Sequence, residues 1–190
     1  MHKKEYESMG KREKSALVVI DMLNDFVRKG APLEVPETRK IIPALKRRIA
    51  SARRKKEPVI YVNDAHAKKD KEFERFGWPP HAVRGTEGGE VVRDIAPREG
   101  DILIEKKSYS GFYRTSLERM LKKRGIQKLH LAGCVTNICI LFTASDAVLR
   151  GFDVCVDEKL VAGLDRKSHL FALEQMKSVL GVDVLRKGNR

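Results

Sequence analysis

The stretch 16-ALVVIDM-22 runs through five apolar residues, turns polar at Asp21 and is apolar again at Met22. An aliphatic run without polar alternation marks a strand buried on both faces, the kind that parallel sheets use. Working outward, the same character returns in PVIYVND (58–64), DILIEK (101–106), KLHLAG (128–133) and FDVCVDE (152–158), with a short VDVL at 182–185. Helical periodicity fills the gaps. Over 38–56, Ile41, Ile42, Leu45 and Ile49 share one face, and SLERMLKKRG (116–125) is amphipathic, with Ser116 as cap and Gly125 as stop. A helix over about 137–149 starts apolar on all sides at ICILF, which predicts burial, and closes at Gly151. A last helix falls near 168–179. This alternation predicts a single-domain, three-layer α/β/α fold whose mostly parallel sheet has about six strands.

Composition narrows the class. The chain has 190 residues, 42% hydrophobic and 34% charged, which suits one soluble globular domain over 15–190. Residues 1–14 are expected to be a flexible polar extension. They are charged and lead into no apolar stretch of signal-peptide type, and no run approaches the ~18 residues of a membrane span. The three cysteines are odd in number and lack paired CxxC spacing. That argues for a reducing cytoplasm rather than a disulfide framework or a structural zinc site. Net charge is +13. The basic residues are spread through Arg39–Lys56, Arg114–Lys128 and the tail, interleaved with periodic apolar residues. They read as a solvated shell, with no helix-turn-helix and no aromatic-interleaved basic strand. A non-catalytic nucleic-acid- or protein-binding module is the remote alternative.

Ligands of open α/β sheets bind beyond the carboxyl ends of the strands. Asp21 ends the first strand, Asp64 the second and Lys106 the third, and Cys139 falls in the first turn of the helix after the fourth. Alone, Asp21 reads as a turn former, Lys106 as a surface lysine and Cys139 as a core thiol. Together they suggest acyl transfer. A helix N-terminus and a nearby ammonium favour a thiolate, and an aspartate accepts and returns the proton. The long segment 65–100 has little periodicity and many Gly, Pro, His and Trp residues, as functional connections do. His66 and His81 lie in it, and with Asp64 they make a possible site for Zn²⁺, Fe²⁺ or Mn²⁺.

Five motifs carry a resemblance: VVIDMLNDF (18–26), VNDAH (62–66), GWPPHAVRGTEG (77–88), IEKKSYSGF (104–112) and AGCVTNICILFTASDA (132–147). Across about 15–186 the chain resembles the isochorismatase-like cysteine hydrolases, and among them most closely the nicotinamidases. The resemblance implies Asp21 as general base, Lys106 as catalytic lysine and Cys139 as nucleophile. Lys106 rather than Lys107 stands three before Tyr109 in the family pattern Lys-x-x-Tyr-Ser-x-Phe. It also implies Asp64, His66 and His81 as ligands of one divalent metal, zinc before iron or manganese, and no organic cofactor. Phe26 and Trp78 match the aromatic positions that sandwich a pyridine ring, with Tyr109 beside them as a further substrate contact. A cis peptide at Cys134–Val135 would aim the backbone N–H groups of Val135 and Cys139 at an oxyanion. The implied reaction is hydrolysis of nicotinamide to nicotinic acid and ammonia through a thioester. The alternative is an N-carbamoylsarcosine or ureido amidohydrolase, which uses the same triad without the metal. Homo-oligomers, dimeric or tetrameric, are expected from the resemblance alone. Two departures stand out: Asn137 where many relatives carry Asp, and no additional histidine in 65–80, where Asp70, Glu72 or Glu74 could stand nearby.

Overall fold

The computed structural model describes residues 14–186, so the extension predicted over 1–14 lies outside the described residues apart from Lys14. Six strands, β1 (Ser15–Ile20), β2 (Val59–Asp64), β3 (Ile102–Lys106), β4 (Lys128–Cys134), β5 (Asp153–Ala162) and β6 (Asp183–Leu185), form one sheet in the order β3-β2-β1-β4-β5-β6. Every neighbouring pair is parallel, so the sheet is wholly rather than mostly parallel. The helices are α1 (Asn24–Val27), α2 (Thr38–Arg54), α3 (Lys71–Phe76), α4 (Leu117–Arg124), α5 (Leu141–Leu149) and α6 (Arg166–Ser178).

The apolar run of β1 explains the layering. Residues Ala16 to Ile20 are all fully buried. Because successive strand side chains point to opposite faces, they divide between two cores. Ala16, Val18 and Ile20 join Leu121 of α4, Ala147 of α5 and Leu173 of α6. Leu17 and Val19 join Ile41, Leu45 and Ile49 of α2 on the other side. The strand order reverses between β1 and β4, which opens a crevice at their carboxyl ends. Only glycine permits the approach of these two strands there. Gly133 has φ 115°, and a Cβ on it would lie 2.0 Å from the carbonyl oxygen of Ile20.

Several elements differ from expectation. The helix after β4 begins as a π turn over Thr136–Ile140 before becoming α5. Its apolar start is not wholly buried. Phe142 is 50% exposed, its ring centroid 5.5 Å from that of Tyr109. Strand β5 runs on to Ala162, because pairing with β4 resumes after a register shift between Leu131 and Gly133. The segment 65–100 contains α3, with Asp70 accepting a hydrogen bond from the Glu72 N–H at its start and Gly77 at φ 66° as its stop. Two 3₁₀ turns follow at Glu87–Gly89 and Arg93–Ile95. No helix among the described residues is long and apolar enough to cross a membrane.

Candidate active site

The four strand ends converge as the chain order suggested. Asp21 follows β1 at φ 52°, a left-handed conformation that turns its carboxylate into the crevice rather than along the sheet. Asp64 and Lys106 are the last residues of β2 and β3 and stand opposite each other in register. Cys139 sits in the π turn after β4, the kind of helical irregularity that often marks a functional site. Asp21, Lys106 and Cys139 are all buried.

Lys106 is the hub. Its Nζ donates to Asp64 Oδ1 at 2.5 Å and to Cys139 Sγ at 3.5 Å, and it stands 2.8 Å from Asp21 Oδ2. Asp21 Oδ1 accepts the backbone N–H of Asp64 at 2.7 Å, which fixes the carboxylate. Its Oδ2 touches the ammonium without an aligned hydrogen bond, leaving an unpaired acceptor. Polar atoms of Asp21, Asp64 and Cys139 lie within 4.8 Å of one another.

Burial sets the proton affinities here. It raises the Asp21 carboxyl to about 6, helped by Asp64 and opposed by Lys106. Burial works against the Lys106 ammonium, but Asp21 and Asp64 outweigh it and hold the lysine well above its usual range. The expectation of a favoured thiolate fails. Burial pushes the Cys139 thiol well above its ordinary value, and the Lys106 charge, shared between two carboxylates, does not offset it. The resting sulfur is therefore a thiol that needs a base, and Asp21 is beside it. Cys134 is a different case: its thiol donates to the Asp21 carbonyl oxygen at 3.1 Å and supports the backbone behind the site. The Cys134–Val135 peptide is cis, as expected.

Asp64, His66 and His81 also cluster, each offering one ligand atom, all within 4.8 Å of one another. Both imidazoles have one nitrogen occupied from outside. His66 Nδ1 lies 3.3 Å from Asp70 Oδ2, and His81 Nδ1 lies 2.8 Å from the Pro79 carbonyl oxygen. Metal-binding histidines carry such contacts, which fix the tautomer and leave the second nitrogen for the ion. Two nitrogens and a carboxylate oxygen, with room for further ligands, fit Zn²⁺ and leave a catalytic type of site open. Of the three acids noted from sequence, Asp70 holds His66, Glu72 lines the pocket and Glu74 does neither.

These groups floor a pocket of about 240 Å³. Phe26, Trp78 and Tyr109 line it, joined by Phe76, Leu33 and Ile138, which sequence reasoning did not single out. Asp21, Glu34, Asp64 and Glu72 also line it, yet among the described residues no lysine or arginine does. Behind the pocket, Ser110 donates to Asp146 at 2.5 Å and the Gly111 N–H to Thr143 at 2.9 Å, tying the loop after Lys106 to α5.

The family model "Isochorismatase domain" matches residues 15–186. The crystal structure of nicotinamidase/pyrazinamidase PncA from Bacillus subtilis superposes with a TM-score of 0.86 at 33% identity, covering 90% of this chain and 99% of that one. Pyrazinamidase of Pyrococcus horikoshii in complex with zinc gives 0.85 at 33% identity, covering 92% and 99%. N-carbamoylsarcosine amidase from Thermoplasma acidophilum gives 0.81 at 36% identity, covering 93% and 98%.

Proposed function

Because this chain belongs to the isochorismatase domain family, we propose that it is a cysteine-dependent amidohydrolase, and specifically a nicotinamidase that releases ammonia from nicotinamide. One observation carries the reading: a buried thiol, a base of raised proton affinity and a fixed ammonium meet at the floor of an aromatic-walled pocket.

Asp21 Oδ2 takes the Cys139 proton, and the sulfur attacks the carboxamide carbon. Negative charge moves from carboxylate to sulfur while Lys106 stays in contact with both, so the buried cluster keeps its net charge. This lowers the cost of forming a thiolate away from water. Backbone N–H groups of Val135 and Cys139 receive the oxyanion. Asp21 then protonates the departing nitrogen as the carbon–nitrogen bond breaks, which leaves a thioester and ammonia. Ionised again, Asp21 draws a proton from water. The resulting hydroxide displaces the sulfur, and the thiol recovers its proton. Phe26, Trp78 and Tyr109 hold the ring. Asp64, His66 and His81 would hold a divalent ion, zinc before iron or manganese, which when bound would supply a Lewis-acidic position for a pyridine nitrogen.

The charge of the lining favours a neutral amide. N-carbamoyl amino acids and ureidoacrylate carry a carboxylate, and the cations beside this pocket are already engaged, Lys106 by Asp21 and Asp64 and Arg39 by Glu34. The similarity to the Thermoplasma amidase keeps N-carbamoylsarcosine as the second reading. An ammonia-release panel of nicotinamide, pyrazinamide, N-carbamoylsarcosine, ureidoacrylate and biuret decides between them. Nicotinamide turnover that falls with chelator supports the first, and chelator-insensitive turnover of a carboxylate-bearing substrate alone supports the second.

A further inference from the structure

At the opposite end of the sheet, where the strands begin, lies a cleft of about 960 Å³. Lys14 and Ser15 at the start of β1, the end of α2 and the segment leading into β2, Arg124 at the end of α4, and His130 in β4 enclose it. Among the described residues its charged groups are Lys14, Arg48, Lys55, Lys56 and Arg124 against one carboxylate, Glu57. That carboxylate is already taken. Arg48 bonds both its oxygens, at 2.7 and 2.9 Å, and the Ser15 hydroxyl donates to it at 3.0 Å. His130 Nε2 stands 4.0 Å away on the same acid.

Among the described residues, Lys14, Lys55, Lys56 and Arg124 form no ion pair. Cations elsewhere, such as Lys46, Arg47 and Arg119, also form no ion pair among the described residues; these four differ in lining one concavity together. Four unpaired cations facing one concavity repel one another, and an anion with several charges removes that repulsion. The carboxyl end of α2 brings partial negative charge to the rim, but the equivalent of half a charge does not balance four. The half-buried Arg48–Glu57–Ser15 set gives the floor a fixed arrangement of donors. Among the described residues no Phe, Tyr or Trp lines the cleft, so these offer no platform for stacking a base.

We propose that this cleft binds a compact oligophosphate, the chemistry shared by inorganic polyphosphate and the phosphate chain of a nucleoside triphosphate. The site is separate from the amide-hydrolysing pocket. Recognition is through phosphate oxygens, and an attached base adds nothing.

Calorimetric titration of the full chain with inorganic tripolyphosphate, and in parallel with ATP, tests this. The expected result is saturable one-to-one binding of both at similar affinity, weakened as NaCl rises from about 50 to about 300 mM. Lys55→Glu with Lys56→Glu should weaken binding roughly tenfold or more while ammonia release continues, which shows an intact fold. Lys55→Glu with Arg124→Glu is the second variant if the first fails to fold. Lys167→Glu with Lys177→Glu on α6 makes the same change in net charge away from the cleft and should leave binding intact. Absence of saturable binding overturns the proposal. So does equal loss in the α6 variant, or a DNA duplex binding more tightly than tripolyphosphate with equal sensitivity in both variants, since these mark diffuse attraction to the net charge. Much tighter binding of ATP than of tripolyphosphate overturns the phosphate-only recognition.

Discussion

Replacing Lys106 with methionine keeps a side chain of similar length and removes the one cation from a cage of acids. Its Nζ stands 2.8 Å from Asp21 and 2.5 Å from Asp64, with both carboxylates largely shielded from water. At an effective dielectric near 20, a unit charge ~4 Å away is worth about 4 kcal/mol. Relaxation and entry of water reduce that, and half of it, about 2 kcal/mol, raises the proton affinity of Asp21 roughly 30-fold. Asp21 already titrates at about 6, so it becomes protonated across the neutral range in the variant. Ammonia release from nicotinamide, or from whichever amide the panel identifies, should then be followed from pH 5 to pH 9. The acid limb of kcat/KM should move up by more than one pH unit, so that the deficit is largest at the acid end of the series, at pH 5, and shrinks toward pH 9. Stability should move the opposite way. Leaving two buried carboxylates without their counter-ion costs about 3–5 kcal/mol, and a proton relieves it, so the denaturation midpoint should fall more at pH 8 than at pH 5. A uniform loss of activity with an unshifted limb would refute the reasoning, because Lys106 would then not be what holds Asp21 ionised.

In the unaltered protein, the base must be ionised to accept the thiol proton, and it is protonated as pH falls through about 6. The rate under subsaturating substrate should therefore drop about tenfold per unit below that point, as a pH series would show. Gly133→Ala forces a Cβ to within 2.0 Å of the Ile20 carbonyl oxygen at φ 115°, and chemical denaturation should report a loss of about 3 kcal/mol or more, or no folded protein. Elemental analysis of purified protein should find about one divalent ion per chain, as a single three-ligand site implies. His81→Ala should lose that ion while circular dichroism stays unchanged, and a full complement of metal in the variant would remove His81 from the ligand set.

The strands and their order of use were legible because each announces itself locally: an apolar run, a polar residue at its end, then helical periodicity. Asp21, Asp64 and Lys106 could be placed for the same reason, since a strand end in a parallel sheet has a known destination. What could not be read depends on contacts between distant residues. The π turn that carries Cys139 looks like ordinary helix in the sequence, because one extra residue in a turn leaves no mark on the apolar pattern. The thiolate expectation failed because the charge of Lys106 was counted once, for the sulfur, when two carboxylates share it first. Phe142 stands half exposed although its neighbours are apolar, because burial depends on which side of α5 meets the sheet. The short α3 did leave a trace. Asp70 and Gly77 are proper cap and stop signals, but a helix of six residues is too brief to show periodicity between them. The role of Leu33 and Ile138 in the pocket had no local signature at all, since apolar residues on loops and turns read alike until the chain is folded.

The central claim is that Cys139 becomes acylated. Reaction with nicotinamide should be quenched in acid during turnover, digested with trypsin and examined by mass spectrometry. The tryptic peptide 129–150 contains both Cys134 and Cys139, so fragment ions within it locate the modification. A nicotinoyl group should be found on Cys139 and none on Cys134, with Cys139→Ala silent in ammonia release and Cys134→Ala still active. Acylation of Cys134, or ammonia release that persists in Cys139→Ala, would contradict it.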